Sequence, residues 1–127
     1  RKGLIPENYE IMDKKYPTLI FSWKKHKTLP NLEYIRIGSE QDNLDFILQQ
    51  LYERNIHSVL VEGGAKFLNS FIQCDLWDEA NVEVSQFSIG EGVPAPVLRN
   101  AAEDSRRVIE NHQWIHYHNI NNKNSTL

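Results

Sequence analysis

A carboxylate followed by two glycines and the start of a helix is the place in this sequence where residue type and spacing together suggest chemistry. The stretch reads Ser58-Val59-Leu60-Val61-Glu62-Gly63-Gly64-Ala65-Lys66-Phe67-Leu68-Asn69-Ser70-Phe71. Gly63 and Gly64 open backbone angles closed to other residues and let another molecule approach the main chain. A helix beginning at Ala65 leaves its first amides without intrahelical acceptors, at the positive end of its dipole. A phosphate is the natural ligand for such amides. Glu62 would repel a phosphate placed beside it, so it fits better facing a second ligand. The plainer account is a tight strand-to-helix corner with a solvated or capping carboxylate. The spacing matches neither the full dinucleotide fingerprint nor the lysine-bearing phosphate loop. On these residues alone both accounts stand.

The elements around this corner can be read from patterning. Val59-Leu60-Val61 is a short continuous apolar run, as expected for a strand covered on both faces. Ahead of it, Thr18 to Trp23 (TLIFSW) is β-branched and aromatic and reads as a strand, and Leu32 to Ile37 reads as a second. Asp42 to Arg54 is a predicted helix, with Leu44, Ile47, Leu48 and Leu51 on one apolar face. Ser39 or Asp42 can cap its start and Asn55 suits its end. After the corner, the helix from Ala65 to about Cys74 turns Phe67, Leu68, Phe71 and Ile72 inward. A strand is expected from about Asn81 to Phe87, followed by a glycine- and proline-rich loop, Ile89 to Pro96. Arg106 to Ile109 and Gln113 to Ile120 close the chain as an antiparallel hairpin around Asn111. Strands alternating with helices are the grammar of α/β units. Residues 1 to 17 are turn-rich, with Tyr9, Ile11 and Met12 available to tuck against the body. Residues 121–127 form a polar tail expected to be disordered.

Other reactive side chains carry less. His116 and His118 share a face if they lie on a strand, with His112 nearby, but no third ligand or supporting shell is evident, so no metal is expected. Asp78 and Glu79 are adjacent, and adjacent residues on a strand point apart; a turn or helix-end role suits them better than acid–base pairing. Lys24, Lys25, His26 and Lys27 read as a solvated stop to the first strand, with a phosphate contact as the alternative. The 127 residues make one domain, with 24% charged and 40% hydrophobic residues and a net charge of -3. That charge argues against nucleic acid as the main partner. No apolar run reaches the length of a membrane span and no secretory signal is visible. The single cysteine, Cys74, excludes an internal disulfide, fits a reducing, cytoplasmic setting, and is expected to pack in or near the second helix.

Taken in order, Glu62-Gly63-Gly64, the helix, Leu76-Trp77-Asp78-Glu79 and the loop containing Gly90 and Gly92 resemble the C-terminal half of the reductase domain of riboflavin biosynthesis, the domain fused to a deaminase in a bifunctional bacterial protein. Ile5-Pro6-Glu7-Asn8-Tyr9 and TLIFSW are similar to the same family. The resemblance extends to about Val97. It implies an α/β fold like dihydrofolate reductase: three layers, a mainly parallel sheet and a C-terminal antiparallel hairpin. It implies NADPH-dependent reduction of the ribosylamino chain of a phosphorylated 5-aminouracil to a ribitylamino chain. Glu62 then faces the substrate. Gly63, Gly64, Ala65, Lys66, Phe67 and Leu68, within a segment reaching Ser70, take the cofactor diphosphate. Arg1, with Lys2, falls near the family's grip on the adenosine 2′-phosphate.

The resemblance also marks departures. The family's reductase domain begins well before Arg1, and its deaminase has no counterpart here. The chain therefore reads as a C-terminal fragment with the leading strands missing, a partial reductase domain over 1–120, inactive by itself. An exposed sheet edge and apolar surface would favour self-association, and a homodimer is expected. Two other readings remain: another dihydrofolate-reductase-like enzyme acting on a pteridine or pyrimidine, and a non-catalytic module for nucleotide binding or assembly.

Overall fold

A computed structural model of the chain describes residues 9–24, 26–38 and 43–122. They fall into two compact units, divided between Val59 and Leu60.

The first unit is built on a parallel pair. β1 (Thr18–Ser22) and β2 (Leu32–Arg36) run in register from Thr18 opposite Leu32 to Ser22 opposite Arg36. Both match the expected segments to within a residue, because β-branched and aromatic side chains fit a pleated, half-buried surface. Among the described residues of this unit, Leu32 and Ile35 are the buried apolar ones. Before β1, a short 3-10 turn covers Glu10–Met12. Tyr9 and Ile11 are exposed, while Met12 is half-buried and its sulfur accepts from the Tyr34 hydroxyl at 4.0 Å.

Helix α1 (Asn43–Tyr52) follows, with Leu44, Ile47, Leu48 and Leu51 half-buried. Ser39 and Asp42, the expected caps, lie outside the described residues. The far end closes as foreseen. Asn55 adopts φ 60°, its N–H bonds to Tyr52 O at 2.9 Å, and the Ile56 N–H bonds to Leu51 O at 3.1 Å. This pair of bonds is the Schellman arrangement, and asparagine is the usual residue there after glycine. Arg54 then reaches Glu33 on β2 at 2.6 Å, and that carboxylate holds the guanidinium pKa above its ordinary value.

The second unit contains α2 (Ala65–Gln73), β3 (Glu79–Val84), β4 (Ala101–Ile109) and β5 (His112–Asn119). The strands form an antiparallel sheet in the order β3-β5-β4. A two-residue turn joins β4 to β5, with Glu110 at φ 47° and Asn111 at φ 69°. Positive φ at both positions matches the right-handed twist of the flanking strands. β4 begins at Ala101 rather than Arg106, because Ala101 and Ala102 still pair with Asn119 and His118. A bulge between Glu103 and Ser105 absorbs Asp104. Phe71, Ile72 and Ile115 are the buried apolar side chains here among the described residues.

Other expectations are corrected. Residues 58–61 are not a buried strand: they belong to no described strand, and Leu60 is 82% exposed. Apolar content makes a strand only where a neighbour supplies its hydrogen bonds, and no described segment pairs with this one. Cys74 is likewise exposed, at the end of α2, and does not pack. Of the expected tail, Asn121 and Asn122 are hydrogen-bonded into the second unit, and residues 123–127 lie outside the described residues.

Candidate functional site

The corner at Glu62-Gly63-Gly64 forms as a turn into α2, and its two glycines serve different needs. Gly63 has φ 154°, a conformation L-residues rarely adopt, while a Cβ there would meet Phe67 Cδ1 at an ordinary 3.5 Å. Its backbone angle, and not crowding, requires glycine. Gly64 is the N-cap, with φ -72° and ψ 156°, angles open to any residue, and a Cβ there would meet nothing within 4 Å. Nothing inside the chain requires a glycine at that position.

The Gly64 carbonyl accepts from the Phe67 N–H at 2.9 Å and the Leu68 N–H at 3.2 Å. No side chain caps the helix, and its first turn carries no acidic residue. The earliest amides of α2, which no intrahelical carbonyl can reach, therefore face outward beside exposed Lys66. Glu62 is exposed and has no hydrogen-bond or ion-pair partner among the described residues. Ala65 and Leu68 are half-buried. Phe67 packs edge-on against Phe71, with centroids 5.3 Å apart, and Ser70 Oγ donates to Phe67 O at 2.6 Å. Of the residues singled out from the sequence, Glu62 through Ser70 thus fall on one turn and helix start. Arg1 and Lys2 lie outside the described residues. Among the described residues, open surface concavities of about 450 Å³ at Glu10–Thr18 and about 350 Å³ beside Trp114 and His116 do not include the glycine corner.

The histidines do share a face, but they are engaged in pairs. His112 Nδ1 lies 2.5 Å from Glu83 Oε1, His116 Nδ1 lies 3.0 Å from Asn81 Oδ1, and His118 Nδ1 lies 2.6 Å from Asp104 Oδ1. The bulge aims Asp104 between His116 and His118, with His116 Nε2 at 3.6 Å from its second oxygen. No group of three or more potential ligands is arranged to hold a metal among the described residues. Asp78 sits in the turn ahead of β3, where its carboxylate accepts from the Asn122 side chain.

Sequence reasoning missed the cluster at the other end of α2. Asp75 takes φ 57° just past the helix, and its carboxylate accepts from three asparagine side chains: Asn100 at 3.2 Å, Asn119 at 2.9 Å and Asn121 at 2.8 Å. Those amides, Asn121 first, then Asn119 and Asn100, hold the Asp75 pKa below the ordinary carboxylate range against an opposing desolvation effect. Asn119 is 1% exposed and fully used. It also donates to Trp77 O at 3.0 Å and accepts from the Asn121 N–H at 3.0 Å.

The family model of the RibD C-terminal domain matches residues 1–112. No curated protein matches the sequence. Among solved structures, the chain is similar to a diaminohydroxyphosphoribosylaminopyrimidine deaminase/5-amino-6-(5-phosphoribosylamino)uracil reductase from Thermotoga maritima. The identity is 22%, the match covers 85% of this chain and 33% of that one, and the TM-score is 0.69. Acinetobacter baumannii RibD, in form 1 and form 2, matches with TM-scores of 0.72 and 0.71, at 16% and 17% identity, over 93% of this chain and 35% of that one. The chain thus spans about a third of the length of these structures, and the likeness establishes a shared α/β, dihydrofolate-reductase-like fold.

Proposed function

The chain belongs to the RibD C-terminal domain family, and on that premise we propose that it is part of a cytoplasmic, NADPH-dependent reductase of riboflavin biosynthesis, working as a homodimer. The reaction is reduction of 5-amino-6-(5-phosphoribosylamino)uracil, in which the ribosylamino chain becomes ribitylamino. The nicotinamide cofactor supplies the hydride, and the protein supplies placement and electrostatics.

In this reading Gly63 shapes the corner, the open amides of Gly64, Ala65 and Lys66 receive the cofactor diphosphate, helped by the Lys66 side chain, and Phe67 and Leu68, whose N–H groups close the first turn on Gly64 O, complete the segment that holds it. Glu62 faces the uracil substrate, to orient its edge or to pass a proton to the opening sugar. Arg1 is assigned to the adenosine 2′-phosphate on the resemblance alone. Gly64 is the observation that carries the proposal. A glycine that neither backbone angle nor crowding requires, at an uncapped helix start, is accounted for by close approach of a ligand to its main chain. No helix of the described residues is long and apolar enough to cross a membrane, and a net charge of -3 argues against nucleic acid as the main partner.

Gly64→Asp tests this cleanly. Aspartate is a preferred N-cap, the backbone angles suit it, and its Cβ meets nothing, so stability should hold or rise by a few tenths of a kcal/mol. Its carboxylate would sit where the diphosphate belongs. Titration of NADPH against the 127-residue chain should show saturable binding that weakens at least about tenfold in the variant, equivalent to about 1.4 kcal/mol. Binding indifferent to Gly64→Asp would place the nucleotide elsewhere and defeat the proposal.

A further inference from the structure

The carboxylate just past the end of α2 is joined to two distant parts of the same unit. We propose that Asp75 is a positioning residue: by gathering Asn100, Asn119 and Asn121 it fixes the direction of α2 against the sheet, and so aims the open amides at the helix's other end. The proposal deepens the nucleotide reading above and rests on it.

The observations are geometric. Asn100 directly precedes β4, Asn119 is the last residue of β5, and Asn121 lies two residues beyond it, so the three amides come from the open end of the hairpin, on both of its sides. They are 25, 44 and 46 residues from Asp75, and none of these contacts is local. Main-chain bonds join the same place: the Asn119 N–H donates to Asp78 O at 2.8 Å and the Ile120 N–H to Asn100 O at 2.8 Å. A carboxylate is acceptor-only and an asparagine side chain offers two donors, so three amides around one carboxylate form a matched set. Hydrogen bonds to an ionised group are also the stronger kind.

Apolar packing offers α2 few other ties. Phe71, Ile72 and Ile115 are the buried apolar residues of this unit among those described. A plain helix stop does not explain Asp75 either. The Leu76 N–H to Phe71 O bond at 3.0 Å and the Asp75 N–H to Ile72 O bond at 3.2 Å complete a Schellman ending that glycine would serve better. An aspartate held at φ 57° gives up the easier residue and gains three long-range bonds.

Asp75→Gly separates the two roles. Glycine keeps the left-handed ending and removes only the carboxylate, so the helix should persist by circular dichroism. Residual dipolar couplings of backbone amides report whether α2 and the β3-β5-β4 sheet keep one orientation. In the native chain a single alignment should fit both. In Asp75→Gly the α2 couplings should shrink relative to those of the sheet. NADPH should bind about three- to tenfold more weakly, less than the roughly hundredfold that an ångström's misplacement can cost at a reacting centre. Asp75→Asn retains one acceptor oxygen and should fall between the two. Couplings that still fit a single alignment of native magnitude in Asp75→Gly would overturn the proposal, making the cluster a local cap. The couplings are read without ligand, so a native chain that binds no NADPH would defeat the nucleotide reading alone, and the orientation of α2 would still be decided.

Discussion

Gly63 and Gly64 are neighbours whose substitution should fail in opposite ways. Alanine at Gly63 must adopt a backbone region that is nearly glycine-only, which costs on the order of 1–3 kcal/mol. Urea unfolding of Gly63→Ala should show that loss, where Gly64→Asp shows none. Asp75 carries a pH dependence of definite sign. Its folded pKa is depressed, so its contribution is fully present above the unfolded carboxylate value of about 3.9 and disappears as pH falls through the lower folded value. Glu103, hydrogen-bonded to Arg106, is depressed as well and loses its contribution in the same acid window, so the measurement must be a difference. Urea midpoints taken from neutral pH into that window should fall more steeply for the native chain than for Asp75→Gly. Parallel curves would show that the three amides add nothing to stability through the charged carboxylate.

Elements whose signals are local could be read from the sequence. The apolar face of α1 and the Asn55 ending both came from spacing within a few turns, and β1 and β2 came from β-branched runs. The hairpin turn falls at Asn111, as the two flanking runs imply, and asparagine tolerates the left-handed angle found there. Its partner Glu110 also sits at positive φ, where glutamate has no such advantage. Converting the turn to the favoured pair, with Glu110→Asn and Asn111→Gly, should raise stability by about 1 kcal/mol, read as an upward shift in thermal midpoint. An unchanged or lower midpoint would mean that strand pairing, and not the turn, sets the hairpin's stability. Elements defined by partners were harder to read. Residues 58–61 carry a strand's composition without a neighbour to complete it, and the early start of β4 depends on pairing with the end of β5. At the candidate site, Glu62 and the glycines stood out because their types and spacing are contiguous. Asp75 did not, because residues 75, 100, 119 and 121 meet only after the sheet forms.

At the scale of the whole molecule, apolar surface left in water sets the expected behaviour. Phe87 is 83% exposed, Ile89 93% and Leu60 82%, and Val93 and Val97 are also exposed. Covering one such side chain gains about 1.5–3 kcal/mol, so covering several favours association even against the freedom lost on binding. The strand order leaves β3 and β4 as sheet edges among the described residues, and unpaired edges offer ready templates for another strand. Sedimentation of the 127-residue chain should therefore shift to heavier species as concentration rises. The two contributions can be separated. Phe87→Ser with Ile89→Ser removes apolar area from the loop without altering any strand, and should return the chain toward monomer if the loop drives assembly. If the substituted chain assembles as before, the sheet edges carry the association, and prolines placed at outward-facing N–H groups of both β3 and β4 should then abolish it. A single monomer boundary at every concentration would contradict both routes and, with them, the proposed homodimer.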